Sequence, residues 1–154
     1  MTITARTFAA LFGGIYLALG ACGFIPALWE RPQPGPPLDI RVFHASLFGL
    51  FAVNIILSMM HGVIGLWGTM AANNRYSSLI FARAGCIVFA LLGIAGLIPL
   101  DDIRTLWGTT PLYGHNVWLH LGTAVVALYF SFKPGYSLTA VGVKDEMNPH
   151  RSNT

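Results

Sequence analysis

Charged side chains are scarce in this sequence and nearly absent from its long apolar segments. They make up 10% of the residues, whereas hydrophobic residues make up 55%, a balance that ordinary soluble domains do not show. The net charge is +3, but no basic stripe with interleaved aromatic residues is present, so no nucleic-acid partner is predicted. A Gly-rich phosphate loop, a nucleophile elbow and a metal-spaced Cys/His cluster are also missing. We therefore predict no enzymatic activity, no catalytic residue and no metal site.

Cysteine is rare as well, and neither of the two cysteines predicts a disulfide. Cys22 and Cys86 fall inside different apolar segments, where a thiol usually acts as a small packing residue. The segment Leu19-Gly20-Ala21-Cys22 loosely resembles a lipoprotein cleavage site. The chain stays apolar as far as Trp29, however, which favours a membrane span over a cleaved signal.

The apolar residues gather into four segments, each long enough to cross a bilayer. A hydrocarbon core about 30 Å thick requires about 20 apolar residues of helix. The segments cover residues 7–29, 42–72, 79–100 and 117–132. We therefore predict an all-α, integral membrane four-helix bundle over residues 1–133, embedded in the lipid bilayer, and a polar cytoplasmic tail over residues 134–154. Most basic residues fall on the side of both termini, which predicts that both termini are cytoplasmic.

Two pairs of segments repeat, which predicts two parallel helical hairpins. The first and third segments both end in Gly, two residues, Gly, two apolar residues and Pro, at residues 20–26 and 93–99. Small residues let membrane helices approach closely. The glycines predicted to serve helix packing are Gly20, Gly23, Gly62, Gly65, Gly93 and Gly96.

Polar residues inside the second and fourth segments are the candidate site. Asn54, Ser58 and His61 share one helix face, as Asn116, His120 and Thr123 do on the last segment. The two histidines fall at similar depth, and three hypotheses compete for them. Neutral histidines that hydrogen-bond neighbouring groups are favoured; axial ligation of a haem or chlorophyll-type pigment by His61 and His120 is the alternative. A proton or solute pathway is the third hypothesis. Because the favoured hypothesis involves no ligand, no cofactor is predicted, although a haem or chlorophyll-type pigment is possible.

These features resemble a known family. The paired glycine–proline helix ends, the stretch from Asn54 to Gly62 and the stretch from Asn116 to His120 are similar to small bacterial four-span membrane proteins, a family known only as domain of unknown function 4383. The resemblance covers about residues 7–132. It implies a four-helix fold in the bacterial inner membrane and implies no activity.

The expected role is therefore structural. We expect a non-enzymatic accessory or assembly subunit that packs against a larger membrane complex or against itself. The haem- or pigment-binding subunit is the alternative, and a small oligomeric transporter or channel is the third hypothesis.

Overall fold

The computed structural model describes residues 4–132, and within them the chain is mostly helical. The α-helices are α1 (Ala5–Cys22), α2 (Ile55–Ala71), α3 (Arg75–Leu97), α4 (Asp101–Arg104) and α5 (His115–Phe132). A short 3-10 helix (Pro26–Leu28) follows α1. The strands are β1 (Trp29–Glu30), β2 (Ala45–Leu47) and β3 (Phe51–Val53). The predicted tail at residues 134–154 lies outside the described residues.

Local signals explain where the long helices begin and end. Thr4 and Thr7 form a capping box at the start of α1, and Asn54 and Asn74 accept backbone N–H groups at the starts of α2 and α3. Helix α3 ends at Leu97, two residues before Pro99, because the residue preceding a proline disfavours helical backbone.

The long helices pack as two pairs. Helix α1 lies along α2, and α3 lies along α5, while α1 and α3 join the pairs. Between the pairs, Phe8 and Phe81 lie in one buried cluster and Tyr16 and Phe89 in another. The buried aromatic rings thus form the seam of the bundle.

A small sheet caps one end of the bundle, and it corrects the all-α expectation. Strands β1, β2 and β3 are antiparallel in that order, with Trp29 opposite Leu47 and Ser46 opposite Ala52. A third buried cluster, which includes Leu47 and Val53, lies beneath the sheet. We call this sheet and the loops beside it the outer layer.

The second predicted segment, residues 42–72, is not one continuous helix. Its first part forms β2 and β3, and α2 begins only at Ile55. The chain reverses at Phe48 and Gly49, whose φ angles are 53° and 69°, and two such positive values build a tight hairpin turn. Asn54 then starts the helix. The apolar composition of residues 42–72 does not reveal this change of structure, because apolar strands and apolar helices have similar compositions.

Candidate functional site

His61 on α2 and His120 on α5 meet in the core of the bundle. Their ring centroids lie 5.8 Å apart and their planes are at 75°. His61 is 4% exposed and His120 is 0% exposed. The structure thus brings together the two histidines that the sequence predicts at similar depth.

Two aromatic rings enclose the histidine pair. Tyr16 of α1 lies 5.1 Å from His61 in an edge-to-face arrangement, and Phe89 of α3 lies 5.7 Å from His120. Tyr16 and Phe89 also stack on each other at 4.6 Å. All four long helices therefore contribute a ring to the centre of the bundle.

The ring nitrogens of the two histidines make few hydrogen bonds within the protein. Within residues 4–132, the Nε2 atom of His61 and both ring nitrogens of His120 are buried and have no hydrogen-bond partner. A neutral imidazole carries one donor and one acceptor, and leaving such a group unpaired in the interior costs about 1–3 kcal/mol. The favoured hypothesis from the sequence is that neighbouring groups hydrogen-bond both histidines. The described protein contacts do not provide those hydrogen bonds.

Thr123 lies in the same core, but its hydrogen bonds are to groups other than the two histidines. Its hydroxyl donates to the carbonyl of Leu119 at 2.7 Å and lies 2.8 Å from the hydroxyl of Tyr16. Since the Thr123 proton is used on Leu119, Tyr16 donates to Thr123. Sequence reasoning missed Tyr16 and Phe89; the available signal was that they occupy equivalent places ahead of the two glycine–proline helix ends.

Asn54 and Asn116 fasten the helices to the outer layer. The Asn54 amide donates to the carbonyls of Ile40 and Thr109 at 3.0 and 2.7 Å, while its oxygen caps α2. The Asn116 amide donates to the carbonyls of Ala52 and Pro111 at 2.7 and 2.8 Å. Both side chains are fully buried. They lie at helix starts and bind backbone carbonyls of the outer layer, both in its loops and in β3.

Five of the six predicted packing glycines leave no room for a methyl group. A Cβ at Gly20 would meet backbone atoms of Gly62, and one at Gly65 would meet the backbone of Leu17. Gly23, Gly93 and Gly96 similarly abut Ser58, Leu121 and Leu112. Sequence reasoning missed a further contact of this kind, between Gly13 and Gly68.

Gly62 is the exception. A Cβ there would have no neighbour within 4 Å among the described residues, because that side of Gly62 opens into a groove between α1 and α2. The groove has a volume of about 360 Å³ and is lined by Leu17, Gly20, Ala21, Phe24, Ser58, Met59, Gly62, Val63 and Leu66. Ser58 is 1% exposed, and its hydroxyl has no hydrogen-bond partner within the described part of the chain.

The outer layer holds a second polar contact. The Tyr113 hydroxyl lies 3.5 Å from Nε2 of His44, and the Arg104 guanidinium lies 5.8 Å from the centre of the Tyr113 ring. Burial and the nearby Arg41 charge lower the pKa of His44, which favours its neutral ring. Burial raises the pKa of Tyr113.

The architecture defines a mostly helical protein, and two of the described helices, α1 and α3, are long and apolar enough to cross a membrane. The chain belongs to the family described as domain of unknown function (DUF4383), whose sequence profile matches residues 6–133. No curated protein and no solved structure matches the chain.

Proposed function

We propose that this protein is a multi-pass protein of the bacterial inner membrane, crossed by α1, α2, α3 and α5. The support is the surface of the bundle, where large apolar side chains are exposed on all four helices and would be costly to leave in water. Examples at about half exposure or more are Leu11, Ile15, Val63, Met70, Ile87, Leu91, Val125 and Leu128. The distribution of basic residues supports the proposal that both termini are cytoplasmic, because short cytoplasmic loops carry the excess of Lys and Arg.

The bundle is proposed to be two parallel repeats of one hairpin. Gly20 packs on Gly62, and at equivalent positions Gly93 packs on Leu121. The same relation holds between the Gly23–Ser58 and Gly96–Val117 contacts. In addition, Phe8 contacts Phe81 and Tyr16 contacts Phe89, and the same number of positions separates the members of both pairs. Equivalent residues meeting at the seam are what a twofold relation between hairpins produces.

Within that membrane, the proposed role is that of a non-enzymatic accessory subunit that packs against a helix of a larger membrane complex. The observation that carries the role is the groove between α1 and α2. Its floor is made by Gly20 and Gly62, and its exposed walls include Met59 and Val63. Small residues at the base of an apolar groove permit close approach of another membrane helix.

Among the described residues, the equivalent space of the second hairpin is filled, which favours a single docking face on the first hairpin. At the position equivalent to Gly62, Leu121 supplies a side chain that fills the space against Gly93. A partner helix can therefore approach the first hairpin more closely than the second. We propose that a helix of another membrane protein binds in the groove between α1 and α2.

A photo-reactive residue in place of Val63 tests this proposal in native membranes, with the same residue in place of Leu91 as the matched control. Val63 and Leu91 are 68% and 63% exposed, but only Val63 lines the groove. We expect a defined crosslinked partner at Val63 alone. Equal crosslinking at both sites, or none, overturns the proposal; a product of twice the 16.7 kDa chain mass replaces it with self-association.

Filling the groove makes the test specific. Gly62→Leu and Gly122→Leu each add a side chain where a Cβ has open space in the described structure, so both variants should fold. Only Gly62 lies in the groove. The Val63 crosslink should disappear in Gly62→Leu and persist in Gly122→Leu; persistence in both variants contradicts docking in this groove.

The haem or pigment hypothesis has a weaker basis in the geometry. The proximity of His61 and His120 supports it. However, Tyr16 and Phe89 pack directly against the two imidazole rings and occupy the space that a macrocycle would need. An absorption spectrum of the protein purified from its native membrane tests it, and a Soret or chlorophyll band lost in His61→Ala would restore it. Transport is the third hypothesis, and liposome flux assays test it.

A further inference from the structure

The histidine pair has a spacing suited to one small ion. Two nitrogen–metal bonds of about 2 Å, plus about 1 Å from each nitrogen to its ring centre, place two ring centres about 6 Å apart in a linear arrangement. The observed separation is 5.8 Å. The interplanar angle of 75° does not oppose this arrangement, because rotation about a linear nitrogen–metal–nitrogen axis leaves the bond lengths unchanged.

The ring nitrogens are available for such a bond. Nε2 of His61 and both nitrogens of His120 are buried and bond no other atom of residues 4–132. The hydroxyls of Tyr16 and Thr123 are already engaged with each other, since Tyr16 donates to Thr123. An ion between the imidazoles would use lone pairs that otherwise have no acceptor role, and would relieve the cost of burying them unpaired.

The number of ligands selects the ion. The described residues contain no group of three or more His, Cys, Asp or Glu side chains suited to a metal, so a tetrahedral Zn²⁺ site with four protein ligands cannot be built around His61 and His120. Imidazole is a good ligand for copper, and monovalent copper has a filled d shell that accepts two ligands in a line. Its single charge also costs less to bury than a divalent one, because ion solvation increases steeply with charge.

The surroundings suit a monovalent cation. The rings of Tyr16 and Phe89 lie against the two imidazoles, so apolar groups flank the pair, and a single charge costs less to bury there than a double one. One turn before His120, the amide oxygen of Asn116 is buried and has no partner within the described chain.

We propose that His61 and His120 bind one Cu(I) ion by linear, two-imidazole coordination in the core of the bundle. The site is independent of the α1/α2 groove, so a failure of either proposal leaves the other standing. This proposal differs from the expectation of no metal site. That expectation rested on the lack of a metal-spaced Cys/His cluster in the sequence, whereas His61 and His120 are far apart along the chain.

Competition with a chromophoric Cu(I) chelator tests the proposal on the full-length protein in detergent, under reducing and oxygen-free conditions. We expect one ion per chain, and at least about a 100-fold weaker affinity in His61→Ala and in His120→Ala. His115→Ala is the matched control, because His115 lies at the outer layer and its ring nitrogen contacts the carbonyl of Leu50. Binding below one ion per chain, or equal weakening in all three variants, overturns the site.

X-ray absorption on the unmodified protein decides the case even if the histidine variants unfold. The expected spectrum has two nitrogen neighbours at about 2 Å and no sulfur neighbour. Sulfur scattering would assign the copper to Cys22, Cys86 or a methionine and overturn the proposal. A three- or four-coordinate nitrogen or oxygen shell would do the same.

Discussion

The hydroxyl of Tyr16 on α1 donates to the hydroxyl of Thr123 on α5, across 2.8 Å of fully buried core. This bond joins the two helix pairs directly, whereas most contacts of α1 are with α2. It also holds the Tyr16 ring against His61. The relation between the pairs, and not only the packing within each pair, is therefore fixed by a specific polar contact.

Loss of this bond should weaken the bundle measurably. Tyr16→Phe removes the donor and keeps the ring, so we expect a decrease in the free energy of unfolding of about 1 kcal/mol, the usual size of such bonds in membranes. Thermal unfolding in detergent measures the change, and Tyr76→Phe, at an exposed tyrosine, is the control. Equal stability of Tyr16→Phe and the unmodified protein would contradict a stabilising role for the bond.

The close approach of α1 and α2 should be intolerant of a single methyl group. Gly65→Ala places its Cβ on the backbone of Leu17, which cannot move as a side chain can, so we expect a loss of about 1–3 kcal/mol. Gly122→Ala has open space around the new Cβ in the described structure and should be neutral or stabilising by up to about 1 kcal/mol. Unfolding measurements on both variants should separate them; similar stabilities would refute the backbone contact.

Asn54 should contribute more than an ordinary helix cap. Asn54→Ala removes the cap of α2 and both bonds to the outer layer, whereas Asn74→Ala removes the cap of α3. We expect about 1 kcal/mol for Asn74→Ala and a clearly larger loss for Asn54→Ala, because buried carbonyls lose their donors. Limited proteolysis between residues 31 and 50, together with unfolding, measures this. Protection equal to that of the unmodified protein would count against the fastening role.

The outer layer should loosen in acid. The folded protein lowers the pKa of His44 below its ordinary 6.5, so the unfolded chain binds that proton first as the pH falls. Stability is therefore present above the ordinary pKa and is lost on acidification. His44→Gln should show a smaller decrease in melting temperature between about pH 7.5 and about pH 5.5 than the unmodified protein. An identical decrease in both proteins would assign the effect to other groups.

The sequence predicts the helical character of the chain well because long apolar runs and N-capping residues are local signals. It fails at residues 42–53, where the deciding feature is the paired positive φ of Phe48 and Gly49; glycine permits that backbone, but phenylalanine gives no warning of it. Asn54 did carry a signal, since an asparagine before an apolar run is typical of a helix start.

The candidate site was predictable only in part. Counting residues back from the predicted cytoplasmic ends of their segments puts His61 and His120 at similar depth, and that is enough to suggest that they meet. The partners of Tyr16 depend on how α1 is rotated against α5, a non-local property that no spacing within one helix reveals. The groove at Gly62 was likewise hidden, because a glycine at a contact and a glycine beside an opening look the same in a sequence.

The helices differ in height, and this has a consequence in a bilayer. Helix α2 has 17 residues and α3 has 23, which correspond to about 25 Å and about 34 Å at 1.5 Å per residue. In the membrane arrangement proposed above, lipid beside α2 meets a short apolar wall, whereas lipid beside α3 meets a tall one. On that proposal the membrane must thin on one flank or the protein must tilt, so bilayer thickness becomes a variable that sets how this protein sits and where it accumulates.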